Sequence, residues 1–187
     1  MAGFHKDYIL EKITEMEDLE YSSADFMTQE DIPEDAPEEL KELLSVCGKV
    51  VGMDYADLGE DSYDAYGIFY FLPDAEEDPC CYLAVSITMD NQVPKEAVSD
   101  LYRLINRINV RIGEGAFVLT QDEKSLYYRY NIPLLKDADD ETTLHNAGLR
   151  IFDSVALVSV WIDVLMGRAE GELSMEECLK RTATDEE

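Results

Sequence analysis

Apolar residues recur along this chain with two periods, and the points where one gives way to the other divide it into elements. The segment Lys6–Leu19 places Ile9, Ile13 and Met16 at helical spacing and predicts an amphipathic helix. A loop is expected next, through Ser22 and Ser23 and into an acidic, proline-broken linker over Gln29–Glu39. Pro37 suits a first helical turn, and Glu38 and Glu39 complement a helix N-terminus, so a short helix should run to about Cys47 and stop at Gly48. The period then shortens to two. Val50–Leu58, Tyr66–Leu72 and Cys81–Met89 read as antiparallel strands, with an acidic turn at Pro73–Pro79. The last of them sets Leu83, Val85, Ile87 and Met89 on one face and Ala84, Ser86 and Thr88 on the other.

The helical period returns over Lys95–Arg111, where Leu101, Leu104, Ile105, Ile108 and Ile112 form one stripe and Gly113 and Gly115 stop the helix. Ala116–Thr120 and Ser125–Ile132 form a hairpin around Gln121–Lys124, and Pro133 is expected to end its second strand. A long helix follows from Asp140 to about Gly167, with Asp139, Asp140 and Glu141 at its N-terminus. Its stripe contains Leu144, Gly148, Ile151, Phe152, Val155, Val158, Ile162 and Leu165. Residues 171–187 read as an acidic C-terminal tail, in which Leu173, Met175 and Leu179 support one or two weak helical turns. The order is α-β-β-β-α-β-β-α, which predicts the α+β class: an antiparallel sheet with helices packed on it. There is no internal repeat. Residues 1–170 suit a single domain, of which 1–36 are the N-terminal helix and acidic linker.

Charge changes the picture. Forty-two acids against 15 bases leave a net charge of -27, yet 46% of residues are apolar, too many for a disordered acidic chain. A nucleic-acid partner is excluded as an expectation, because phosphates call for clustered Lys and Arg. Residues 93–136 alone are not acidic, with seven bases and five acids. They contain Arg103, Arg107 and Arg111, which recur every four residues and so line one side of a helix. Two readings stay open: the stripe binds the protein's own acidic surface, or it docks an acidic partner segment. The acidic remainder would attract basic peptides. Met1–Leu10 lacks the apolar run of a signal peptide. The longest apolar stretch, Val155–Met166, contains Ser159 and Asp163 and falls short of the roughly 20 residues a membrane span requires. A cytoplasmic protein without a membrane partner is expected, and its four cysteines, Cys47, Cys80, Cys81 and Cys178, as reduced thiols.

Little in the sequence points to catalysis. The histidines are His5, in a terminal segment expected to fray, and His145, in the first turns of the last helix. Cys80-Cys81 lacks the spacing of a zinc half-site. The acids Asp54, Asp57, Asp61 and Asp64, and then Asp137, Asp139, Asp140 and Glu141, do not match a calcium loop and read as solvated faces or helix caps. No phosphate-binding, nucleophile-elbow or zinc-protease motif is present, and no catalytic, cofactor or metal residue is assigned. Asn106 and Asn109 lie off the apolar stripe and suit a hydrogen bond to the neighbouring loop.

The run Leu101-Tyr102-Arg103-Leu104-Ile105-Asn106-Arg107-Ile108-Asn109 resembles the L-x-x-L-x-N-R-L-N helix of the YbjN-like family, also described as type III secretion chaperone-like or as bacterial sensory transduction regulators. Gly115-Ala116-Phe117-Val118-Leu119 and Leu126–Leu134 resemble that family's closing hairpin. The close similarity covers about 35 residues, and the element order about 130. The chain departs from the pattern in a longer N-terminal region, more acidic middle loops and a C-terminal tail. The resemblance implies a type III secretion chaperone-like fold and a non-enzymatic, chaperone-like or regulatory role in binding a client protein or peptide, often as a homodimer, in bacteria. From the residues themselves, an open sheet edge can take up an extended peptide, and Tyr127 and Arg129 lie opposite the core face of their strand. The candidate partner-binding residues are Leu101, Arg103, Arg107 and Arg111 on the second long helix, with Tyr127 and Arg129. Two other classes stay open: an inhibitor that mimics the charge of nucleic acid, and an enzyme of unknown type.

Overall fold

A computed structural model describes residues 3–16, 19, 21–32, 38–90 and 92–183, apart from the side chain of Glu39. The linker prolines Pro33 and Pro37 and the last tail residues, 184–187, lie outside the described residues. The elements run α1 (Lys6–Ile13), β1 (Ser23–Thr28), α2 (Glu38–Cys47), β2 (Lys49–Leu58), β3 (Tyr63–Phe71), β4 (Cys80–Asp90), α3 (Val98–Asn109), β5 (Ala116–Leu119), β6 (Leu126–Leu135), α4 (Asp140–Ala169) and α5 (Met175–Arg181). The strands form one six-stranded antiparallel sheet in the order β1-β2-β3-β4-β6-β5. The class is the α+β class expected, with one more strand and two more helices than the α-β-β-β-α-β-β-α order.

Four elements differ from expectation for local physical reasons. Helix α1 stops at Ile13 rather than Leu19: the Thr14 hydroxyl donates to the Glu11 carbonyl (2.6 Å), and the Tyr21 hydroxyl donates to the Thr14 carbonyl. Strand β1 occupies what reads as loop, because β2 supplies a partner along its whole length, from Ser23 opposite Asp54 to Thr28 opposite Lys49. It is held further by Ser23 Oγ donating to Asp54 (2.5 Å) at one end and by the Lys49 ammonium over the ring of Phe26 within the strand. Strand β6 passes through Pro133 to Leu135. The Lys136 N–H faces the Pro79 carbonyl, so by alternation the Pro133 nitrogen points to the other side, where β5 has already ended opposite Arg129. Helix α5 is a true helix with a capping box: Ser174 Oγ accepts from the Glu177 N–H, and the Glu177 carboxylate accepts from the Ser174 N–H.

The chain divides into two compact units, and each is described by itself. The first comprises residues 1–55, 66–86 and 131–153. Its core gathers Ile9, Leu10 and Ile13 from α1, Val50, Val51 and Met53 from β2, Phe69 and Phe71 from β3, and Ile151 from α4. Lys6 and Lys136 both bind the Asp74 carboxylate, tying the N-terminus to the loop after β3. His5 is tied down rather than frayed, its N–H donating to Asp140 Oδ1 (2.7 Å). Asp139 caps α4 by accepting from the Thr142 N–H (2.8 Å) and hydroxyl (3.0 Å). Phe152, expected in the core stripe of α4, faces outward at 47% exposure.

The second unit comprises residues 56–65, 87–130 and 154–187. Leu101, Leu104, Ile105 and Ile108 of α3 pack in a core with Phe117 and Leu119 of β5, Leu126 and Tyr128 of β6, and Val158, Ile162 and Leu165 of α4. In the β5–β6 hairpin Phe117 faces Tyr128, ring centroids 5.3 Å apart and edge-on. Gly115 sits at φ +67°, and a side chain there would collide with the Tyr128 ring, so the hairpin admits only glycine at that point. Thr120 N–H donates to the Ser125 carbonyl, which makes Phe117 one of the β5 residues whose backbone groups point away from β6. The Asn109 side chain takes both of them: its Nδ2 donates to the Phe117 carbonyl and its Oδ1 accepts from the Phe117 N–H, each at 2.9 Å. No helix among the described residues is long and apolar enough to cross a membrane.

Candidate functional site

A turn and two helices of the second unit enclose an open cleft of about 590 Å³, lined by Gly59, Glu60, Ser159, Val160, Trp161, Asp163, Val164 and Arg181. The local sequence explains its frame. Ser159 and Asp163 are four residues apart, so they project from one side of α4 toward the β2–β3 turn. Ser159 Oγ accepts from the Gly59 N–H (3.1 Å), Asp163 Oδ2 from Glu60 N–H (2.9 Å) and Asp163 Oδ1 from Asp61 N–H (3.2 Å). Three consecutive turn N–H groups are thereby fixed by a helix side. Gly59 adopts φ +75°, and any Cβ there would strike the Asp163 carboxylate and Ile162. Asp163 is only 8% exposed, and its two backbone donors explain why a carboxylate is tolerated in the apolar run Val155–Met166.

Against this fixed floor stand the residues that can meet a ligand. Val160 is 64% exposed and Trp161, the single tryptophan of the chain, is half-buried. Arg181 is exposed at the end of α5, between two anchors. Cys178 and Thr182 are fully buried, and Thr182 Oγ1 donates to the Cys178 carbonyl (3.0 Å) and accepts from Arg107 Nε (3.1 Å). The wall therefore combines an aliphatic group with an indole and a guanidinium, and the last two are among the side chains that most often carry the binding energy of protein interfaces.

The residues singled out from sequence fare differently. Leu101 is fully buried in the core and is not available for docking; the period of α3 that makes it apolar also turns it inward. Arg103 is exposed, 3.9 Å from Asp100. Arg107 is turned to α5 as described, and Arg111 is half-buried, so the stripe does not present three equivalent cations. Tyr127 is half-buried and Arg129 exposed on β6. Asn109 makes the hydrogen bonds to the adjacent segment that its position suggested, while the sheet edge it serves is thereby covered at Phe117. His145 is exposed. Burial pushes the thiols of Cys47, Cys81 and Cys178 up, away from the thiolate. Among the described residues no three His, Cys, Asp or Glu side chains gather to hold a metal ion. The cleft residues come from positions 59–60, 159–164 and 181, and the one sequence signal for them was the polar pair Ser159 and Asp163 inside an apolar run.

Comparison with known proteins gives no matching family model, no matching curated protein and no matching solved structure.

Proposed function

We propose that this chain is a non-enzymatic protein-binding module, chaperone-like or regulatory, that takes a segment of a client protein into the cleft between the β2–β3 turn, α4 and α5. The observation that carries the reading is the placement of Val160, Trp161 and Arg181 on a wall whose opposite side is fixed by Ser159 and Asp163. A preorganised site of this kind loses little freedom when a peptide docks, so more of the contact energy appears as affinity. The resemblance of Leu101–Leu134 to the YbjN-like, type III secretion chaperone-like family supports the same class, and with it a homodimer in a bacterial cytoplasm. The dimer contact would lie elsewhere than Leu101, which is in the core.

Trp161 is a built-in reporter, because no other tryptophan contributes to emission. Titration of a peptide array should give saturable changes in Trp161 fluorescence for peptides with large apolar side chains. Val160→Glu, at an exposed position, should abolish them without unfolding the protein. An array in which no peptide alters Trp161 emission overturns the reading.

A further inference from the structure

We infer that the client segment taken by this cleft carries an acidic side chain next to a large apolar one; the inference rests on the peptide-binding reading above. The reason lies in how the cleft's polar groups are distributed. On the turn side the N–H groups of Gly59, Glu60 and Asp61 are already bound by Ser159 and Asp163, so that wall has no free donor among them for a ligand carboxylate. The Glu60 side chain is exposed and offers only acceptors. Asp163 and Ser159 face the turn. Among the described residues, the one cation lining the cleft is Arg181.

Arg181 is also set apart from its neighbours. Lys180 pairs with Glu176 (2.9 Å), and Arg168 pairs with Asp100 (2.9 Å). Among the described residues no carboxylate lies at ion-pair distance from Arg181, in a protein whose acids outnumber its bases 42 to 15. The acid one turn before it, Glu177, is near enough for the Arg181 charge to help the Ser174 hydrogen bonds hold its carboxyl below the usual carboxylate range, but it makes no ion pair with Arg181, and its Oε2 is occupied by the Ser174 N–H and hydroxyl. The cleft is thus polar in one direction, with a guanidinium at the α5 end and a carboxylate at the turn end, and an apolar strip of Val160 and Trp161 on its wall. A carboxylate forks onto the guanidinium in bidentate fashion, and a neighbouring aromatic or aliphatic side chain lies on Trp161. The same geometry fixes direction: backbone N–H groups of the segment donate to Glu60 at the other end.

The net charge of -27 gives this site an unusual salt response. An acidic peptide is repelled at long range by the whole protein and held at short range by one arginine. Salt screens the first interaction far more than the second, because the Debye length falls from about 30 Å at 0.01 M to about 10 Å at 0.1 M. Binding should therefore strengthen as salt is raised over that range, the reverse of the behaviour of a basic ligand.

The test uses the full chain and three peptides blocked at both ends, identical except for Asp, Asn or Lys beside a phenylalanine, read by Trp161 emission at 10 and 150 mM salt. The Asp peptide is expected to bind about tenfold more tightly than the Asn peptide, as one charge-assisted contact of roughly this strength implies. It should gain affinity with salt, and lose its advantage in Arg181→Glu, checked for folding by circular dichroism. A preference for Lys, or equal affinity for Asp and Asn, overturns the acidic–apolar assignment and leaves the peptide-binding reading standing. No response to any of the three, nor to the wider array, sinks both.

Discussion

Replacing Asn109 with alanine removes two hydrogen bonds of 2.9 Å from a side chain that works as a substitute β-strand for Phe117. Each such bond contributes about 1 kcal/mol net. The loss is greater than the pair of bonds alone, because Phe117 is 1% exposed and its N–H and carbonyl would be left in the interior without partners. An orphaned buried group costs about 1–3 kcal/mol, less whatever water entering the vacated space restores, so Asn109→Ala should destabilise by about 2–4 kcal/mol. For a chain of 187 residues, that corresponds to a midpoint lowered by about 5–10 °C. Asn109→Asp sharpens the test. At neutral pH the carboxylate still accepts from the Phe117 N–H but sets a charged oxygen against the Phe117 carbonyl, in place of the amide donor. Protonation restores a donor at that position, so the native state holds this proton more tightly than the unfolded chain does. The carboxyl's folded pKa is raised, and the variant should recover toward the parent as pH falls from 7 to 5. Thermal unfolding by circular dichroism across that range measures both effects, with exchange of the Phe117 amide as a local readout. A shift below about 2 °C for Asn109→Ala, or an Asp variant whose deficit does not shrink in acid, would refute the account of Asn109 as the partner of this strand.

Other expectations follow from single residues. Leu101→Ala should cost about 2–5 kcal/mol in denaturant unfolding as a cavity in a filled core, and Leu101→Arg should give an unfolded chain rather than a folded monomer, since the side chain is fully buried. The two ammonium groups that bind Asp74 hold its carboxyl below the usual carboxylate range, so this contact stabilises the fold at neutral pH and fades as pH falls below about 4 through the folded value. Asp74→Asn should be less stable than the parent at pH 7 and approach it in acid; a constant difference across pH would show that the charge is not responsible. The Thr143 hydroxyl is buried and has no hydrogen-bond partner among the described residues, so Thr143→Val should leave the midpoint unchanged or raise it, by up to about 1 kcal/mol in stability. A clear loss of stability would mean that the hydroxyl is satisfied by bound water.

The sequence made the strongly periodic elements legible. α3 and the β5–β6 hairpin stand where the stripe Leu101, Leu104, Ile105, Ile108 and the alternation Leu126, Tyr128 put them, because those positions face one core. α5 was legible in principle: Ser174 and Glu177 have capping-box spacing, a signal easily passed over in a polar tail. β1 was not legible. Ser23–Thr28 has little apolar alternation of its own and is a strand because β2, more than twenty residues later, offers it hydrogen bonds. Pro133 misled for a related reason, since whether a strand tolerates proline depends on which neighbour its missing N–H would have faced. The cleft lay furthest from view. Its parts are about a hundred residues apart, and what unites them is a set of backbone N–H groups that carry no mark in the sequence.

The covering of Phe117 by Asn109 also bears on how copies of this protein can associate. A sheet grows into a fibril only if both outer strands accept newcomers, since each addition must leave a fresh end for the next. Here β5, one outer strand, is four residues long, and a side chain of its own subunit already occupies the position a newcomer would take. Pairing through β1 would therefore terminate after a single event, with a blocked strand at either end of the pair. In polymer terms the chain is a monofunctional unit: edge-to-edge association stops at two copies, and raising the concentration of the protein carries no risk of propagation by this route.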